Sequence, residues 1–264
     1  MLALKPTLRD ITLGTPRLIL SLFAAGEQGA WYDPSDLSTL FQDSAGTTPV
    51  TADGQPVGRM LDKSGNSNHA SQATATARPL YRTDGTKHWL EFDGVDDFLS
   101  TAAFAWGSAQ TYCGLGIRKN IDTAIGVFAE FSVNTINKNG SFAMFHSNNS
   151  TPGGFGAQAR GSSRRDIAVS GGFPAPISVV SSAQVNLASD TGTLRLNGGQ
   201  VGSIAGYGGG AFGTHPFFLG SRGGAEFYLN GRIYGAVLRN VLPTAEQLSI
   251  IESYLANKAG VVLP

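Results

Sequence analysis

Cysteine is all but missing: Cys113 stands alone in 264 residues. No internal disulfide can form, so the fold depends on its core. Cys113 sits in an alternating stretch, Gln110 to Ile117, with no base beside it in sequence, and reads as a buried thiol. Charge is also scarce. Charged residues make up 14% of the chain, against roughly 25% in an average globular protein. Nineteen basic and 19 acidic residues cancel to a formal net charge of zero. A nucleic-acid partner is therefore not expected, because phosphate neutralisation needs a basic excess. The tightest basic group, Arg164-Arg165 with Arg160 nearby, lies among Gly and Ser and reads as a solvated loop.

Long apolar runs are absent too. Leu18 to Ala25 is eight residues, broken by Ser21, far short of the roughly 20 that span a bilayer. Membrane insertion is not expected. Asp10 and two prolines interrupt the preceding stretch, which makes a poor secretion signal. The four histidines (His69, His88, His146 and His215) have no zinc spacing. Low charge favours association, so copies of the same chain and other subunits of an assembly are expected partners.

Glycine is abundant, at 35 residues, nearly twice the usual share of about 7%. The glycines punctuate short apolar runs without a period, as turns do in an all-β chain. Strands are predicted at 57–61, 89–92, 98–101, 111–117, 123–131, 141–146, 154–160, 166–170, 177–186, 193–196, 200–204, 217–221 and 227–239. Asn197-Gly198 is a strong hairpin signal, and Gly231 suits a close strand approach. A short helix is predicted from Asp33 to about Asp43, with Asp33 as cap, Pro34 at the first position and Leu37, Leu40 and Phe41 on one face. A second, amphipathic helix follows Thr244, whose partner Gln247 completes a capping box. Its stripe of Leu248, Ile251, Tyr254 and Leu255 is expected to face the core, and Gly260 to end it. The expected fold is a two-sheet antiparallel jelly-roll β-sandwich over 27–264. Residues 1–26 read as an N-terminal arm for assembly or attachment.

Six stretches fall in a recognisable order: Trp31-Tyr32-Asp33-Pro34, Leu61-Asp62-Lys63-Ser64-Gly65-Asn66-Ser67-Asn68-His69-Ala70, Leu90-Glu91-Phe92-Asp93-Gly94-Val95-Asp96-Asp97, Leu194 to Gly198, Phe218 to Ser221, and Leu229 to Leu238. This set resembles the concanavalin A-like lectin/glucanase superfamily, in its laminin-G-like (pentraxin-like) branch. The first two blocks are similar to the form found in bacteriophage tail and other virion structural proteins. The resemblance implies a jelly roll that binds carbohydrate or protein, located in a virion assembled in the host cytoplasm. It implies tail or capsid neighbours and a host cell-surface glycan as partners. The alternatives are a glycoside hydrolase on the same fold and a secreted carbohydrate-binding module.

Glucanases of the superfamily carry carboxylates in a pattern like E-x-D-x-x-E. Here Glu91, Asp93 and Asp96 give E-x-D-x-x-D, and Asp93-Gly94 reads as the turn that ends the strand. No enzyme is expected, and no catalytic residue is assigned. No cofactor is required, with calcium as the one candidate: Asp62, Asn66, Asn68, Asp93, Asp96 and Asp97 are oxygen donors, without the convergence of roughly six to eight oxygens that Ca²⁺ takes. His69 reads as structural. Gly206 to Gly213 lacks the Lys-Ser/Thr of a phosphate loop. It reads as a flexible loop, with Tyr207 and Phe212 as candidate ligand-contact residues at its tip.

Overall fold

Asn197 and Gly198 both take positive φ, at 49° and 83°, the geometry of a two-residue hairpin turn matched to strand twist. The flanking strands pair antiparallel from Leu196↔Gly199 outward. The same logic of short strands and tight turns builds most of the chain. The computed structural model describes residues 16–147, 153–169 and 171–264. Residues 1–15 of the predicted arm, and Ser170 of one predicted strand, lie outside them.

In chain order the strands are β1 (Gly29–Tyr32), β2 (Leu40–Phe41), β3 (Arg59–Met60), β4 (Ala70–Ser71), β5 (Leu80–Thr83), β6 (His88–Asp93), β7 (Leu99–Ser100), β8 (Phe104–Ala105), β9 (Gln110–Lys119) and β10 (Gly126–Phe131). They continue as β11 (Ser141–His146), β12 (Phe155–Arg160), β13 (Arg164–Val169), β14 (Ile177–Asn186), β15 (Thr191–Leu196), β16 (Gly199–Ala205), β17 (Thr214–His215), β18 (Phe217–Leu219) and β19 (Asn230–Arg239). Among the described residues, one sheet has eight strands in the order β16-β15-β14-β9-β19-β6-β5, with β1 also on β19. A second has nine, in the order β13-β12-β11-β10-β18-β7-β4-β3-β2, and β17 pairs with β8 in a small third sheet. The strands pair antiparallel, as in the central β9–β14 and β9–β19 ladders. The chain is thus a β-sandwich of the expected kind.

Alternation decides which side chains meet between the sheets. Leu90, Phe92, Leu115, Ile117 and Ile233 face inward from the eight-stranded sheet, and Phe128, Phe131, Phe142, Met144 and Leu219 from the nine-stranded one. Each is buried, and burying a side chain of this size contributes about 1.5–3 kcal/mol. Cys113 lies in the same core, where burial pushes its thiol up.

The outer face of the eight-stranded sheet is half covered. The C-terminal helix (Ala245–Ala259) starts with the predicted Thr244–Gln247 capping box. Its Ile251, Tyr254 and Leu255 pack on Trp31, Tyr112, Val180 and Val237. Glu252 fixes its register, accepting from Arg195 at 2.8 Å and from Ser182 Oγ at 2.6 Å. A helical segment over 16–21 adds to the same cover, and Ile19, Leu22 and Phe23 join that apolar cluster. The 16–26 part of the arm therefore packs on the domain's own sheet.

The helix predicted from Asp33 to Asp43 is a single 3-10 turn over Leu37–Thr39. A distant partner takes its cap. Asp33 accepts from Ser35 N at 3.0 Å, but also from Lys258 Nζ at 2.9 Å, 225 residues away. Burial pushes the Asp33 carboxyl up, yet the Lys258 charge, the hydrogen bonds from Ser35 and Lys258 and the Lys63 charge together more than offset this and hold it below its ordinary value. Leu40 and Phe41, read as the helix's apolar face, instead form β2 beside β3.

Candidate functional site: the uncovered half of the eight-stranded sheet

Beyond the C-terminal helix, the outer face of the eight-stranded sheet is open. The register places side chains there in rows. One row runs Leu80–Glu91–Arg232–Arg118–Ser178 across β5, β6, β19, β9 and β14. Glu91, Arg118, Ser178 and Arg232 are half-buried, and Leu80 is exposed. The next row holds Asp93 opposite Asn230, with Asn120 beside it. Glu91, Asp93, Arg118 and Arg232 are the outward neighbours of core positions Leu90, Phe92, Ile117 and Ile233, as Leu80, Ser178 and Asn230 are of Tyr81, Val179 and Leu229. Gly231 makes the close approach possible: a Cβ there would run into the Arg118 carbonyl oxygen.

Hydrogen bonds hold these side chains in place. Trp89 Nε1 donates to Glu91 Oε2 at 2.8 Å. The Arg232 guanidinium lies 4.4 Å over the Trp89 ring and 3.6 Å from Glu91. Arg118 Nε donates to Asn120 Oδ1 at 3.1 Å, Asn120 Nδ2 to Asn230 Oδ1 at 3.2 Å, and Asn230 Nδ2 to the Asp93 carbonyl at 3.2 Å. The result is a rigid polar surface, with Trp89 and Tyr234 packed beneath its edge.

At the rim of this face, β6 ends at Asp93 as the sequence predicts. Oxygens of Asp93, Asp96 and Asp97 lie within 4.8 Å of one another. Two are already engaged with the backbone: Asp93 Oδ1 accepts from Val95 N at 2.8 Å, and Asp97 Oδ2 from Asp93 N at 3.0 Å. Burial pushes the Asp97 carboxyl up to about 6, aided by the neighbouring Asp93 and Asp96 charges and opposed by its bond from Asp93 N.

The other calcium candidates do not join this group. Asp62 accepts from Trp31 N, Ser64 N, Ser64 Oγ and Asn68 N, all between 2.8 and 3.0 Å. Asn66 donates to the carbonyls of Glu27 and Gly29, and Asn68 to Gly29 and Gln28. His69 Nδ1 accepts from Asp62 N at 3.0 Å, the structural part expected of it. This block ties β1 to the turn before β4.

Tyr207 and Phe212 are not contact tips. Both are buried in the main core. The loop folds back instead of reaching out, because Asp190 accepts from the backbone of Gly206 at 3.0 Å and Tyr207 at 2.6 Å, and Ser163 N donates to the Tyr207 carbonyl. Phe212 then packs against Trp106 and Phe142.

The nine-stranded sheet offers a less open face. At the centre of its outer side, Glu130 is fully buried under the 132–135 and 222–227 turns, accepting from Thr135 and pairing with Arg222 at 3.3 Å. Burial pushes the Glu130 carboxyl up, with those partners pulling it back in part. Sequence reading did not single out Arg118, Asn120, Asn230 or Arg232. The signal was present: in Ile117-Arg118-Lys119-Asn120 and Asn230-Gly231-Arg232-Ile233, arginine and asparagine alternate with core positions.

No family model and no curated protein matches the chain. Among solved structures, the chain is similar to the binding domain of botulinum neurotoxin DC in complex with SialylT, at 11% identity and a TM-score of 0.53, covering 74% of this chain and 48% of that one. A weaker likeness, with a TM-score of 0.45 and 14% identity, is to the Ruminococcus gnavus IT-sialidase CBM40 bound to alpha2,6 sialyllactose, covering 54% of this chain and 82% of that one. A third, at 0.44 and 15%, is to NanB sialidase from Streptococcus pneumoniae, where the match spans 57% of this chain and 27% of that one. At these identities the likeness is one of fold.

Proposed function

We propose that the chain is a glycan-binding module that serves as a surface-recognition or attachment domain of a bacteriophage particle. The glycan half is carried by one observation: the uncovered face of the eight-stranded sheet, where half-buried Glu91, Arg232, Arg118, Asn120 and Asn230 are held in fixed rows beside Trp89. Sugars are recognised by such pre-placed donors and acceptors next to an aromatic or apolar edge. A sandwich of this kind holds SialylT in the toxin binding domain. That likeness concerns fold, and function belongs to the site. The particle half rests on the ordered motifs of the sequence, together with its low charge.

The proposal is binding without hydrolysis. A retaining glycosidase uses two carboxyl groups about 5–5.5 Å apart, one as nucleophile and one as acid. Glu91 is held by Trp89 and faces Arg232, and Asp93 is engaged in its own turn. A glycan array with the full chain tests the reading. Binding that falls at least tenfold in Arg232→Ala, with the melting temperature retained, is the expected result. Silence across the array sinks the glycan half. Immunogold labelling of purified particles tests the other half, and particles that carry no label defeat it.

A further inference from the structure

Arg118 and Arg232 stand directly opposite each other on adjacent strands, on one face of the sheet. Like charges so placed destabilise a sheet. The two are not treated alike. Arg232 has Glu91 at 3.6 Å and the Trp89 ring beneath it. Arg118 makes one side-chain hydrogen bond among the described residues, from Nε to the neutral Asn120 amide. That amide is itself held by Asn230, and Asn230 by the Asp93 carbonyl. The relay uses only Nε, so among the described residues the two Nη groups are left without a partner, and neither is a fully buried, unpartnered atom. Ser178 lies across from Arg118 on β14 and is half-buried. A pre-oriented guanidinium edge of this kind matches a planar or tetrahedral oxyanion through two parallel hydrogen bonds.

We infer that the Arg118 edge receives the oxyanion substituent of an acidic saccharide, with Ser178 and Asn120 flanking it. This inference rests on the glycan-binding reading of the same face and adds the ligand's class to it. A carboxylated sugar and a sulfated sugar offer the same chemistry, so the experiment carries both. Arg232 is committed to Glu91 and Trp89, and Arg118 supplies the selectivity.

Calorimetric titration of the full chain would use four probes: an oligogalacturonate, its methyl ester, a heparin-derived hexasaccharide and a neutral oligosaccharide of matched length. The acid is expected to bind about tenfold or more tightly than its ester, the usual scale for a charge-assisted contact. This preference should shrink as salt rises. Arg118→Gln should abolish it without lowering the melting temperature, since it removes an unanswered charge. Arg118→Lys should keep the salt dependence and lose most of the preference, because the fork is gone. A sulfate-only or carboxylate-only response names the source. Equal binding of acid and ester, or a preference that survives Arg118→Gln, overturns the inference and leaves the glycan reading standing. Failure of every probe to bind also overturns the inference, and the glycan reading then stands or falls with the array.

Discussion

In the turn from Asp62 to Asn68, one carboxylate gathers four donors, and the asparagines beside it reach away to bind β1 and its lead-in. In the turn from Asp93 to Asp97, three carboxylates crowd within 4.8 Å, and the last is driven up to about 6. The two blocks offer the same kinds of oxygen in similar glycine turns. What differs is the supply of donors. The first block lies under Trp31 and folds on itself, so backbone N–H groups point at Asp62. The second lies at a strand end on an open rim, where few donors face it. Oxygen-rich turns can therefore be scaffold or strain, and hydrogen-bond partners distinguish the two.

Asp62→Ala carries the largest expected effect. It leaves the buried Trp31 and Ser64 N–H groups without an acceptor and removes a charge-assisted network, a loss of about 3–4 kcal/mol. On the scale of roughly 2–4 °C per kcal/mol for a chain near this size, the melting temperature should drop by about 10 °C. A fall of only a degree or two would mean that Asp62 is not the organiser of its turn, and would erase the contrast with Asp97.

Asp97→Asn should act in the opposite direction. A carboxyl whose folded-state pKa lies above its unfolded value is tolerated when protonated and costs stability once ionised. The penalty is absent well below pH 4, grows as pH rises from about 4 to about 6, and is complete above that. Asparagine keeps an oxygen for Asp93 N and removes the charge. The variant should gain about 2 kcal/mol at pH 7.5 and almost nothing at pH 3, read as two melting curves. A gain of equal size at both pH values would place the effect in packing and not in charge.

How far the sequence reveals these differences depends on how local the cause is. The Asn197-Gly198 hairpin and the Thr244–Gln247 cap are legible because every atom involved lies within a few residues. The alternation that puts Ile117 and Ile233 inside also tells which residues face outward. The sequence does not tell that Arg118 and Arg232 will be neighbours, since 114 positions part them and only the β9–β19 register joins them. Asp33 read as a helix cap because Lys258 could not be seen beside it. Tyr207 and Phe212 read as an exposed tip because the acceptor that folds their loop, Asp190, lies on a different hairpin. Two-residue strands such as β2 and β4 are too short to show a period, and the lone turn before β2 mimicked a helix start.

A smaller effect is expected from Asn66→Ala. Its amide bonds the carbonyls of Glu27 and Gly29 at 2.9 and 3.2 Å. Asn68 also bonds the Gly29 carbonyl, at 2.7 Å, so one acceptor keeps a partner. The loss should be about 1 kcal/mol, a melting shift of a few degrees. A double variant with Asn68→Ala should cost more than the sum, because Gly29 then loses both donors. Simple additivity would separate the two asparagines and loosen the picture of a single knot.

Metal removal should have the smallest effect. Calcium takes roughly six to eight oxygens, and the Asp93–Asp97 turn has already engaged an oxygen of Asp93 and one of Asp97 with backbone N–H groups. The donors left over come from one short turn and cannot surround an ion. Melting curves in EDTA and in millimolar CaCl₂ should therefore coincide at pH 7.5. If calcium raised the melting temperature of the native chain but not of Asp97→Asn, the crowded carboxylates would be a cation site. The strain at Asp97 would then be the cost of keeping that site ready, and the contrast with Asp62 would become one of ligand binding against scaffold.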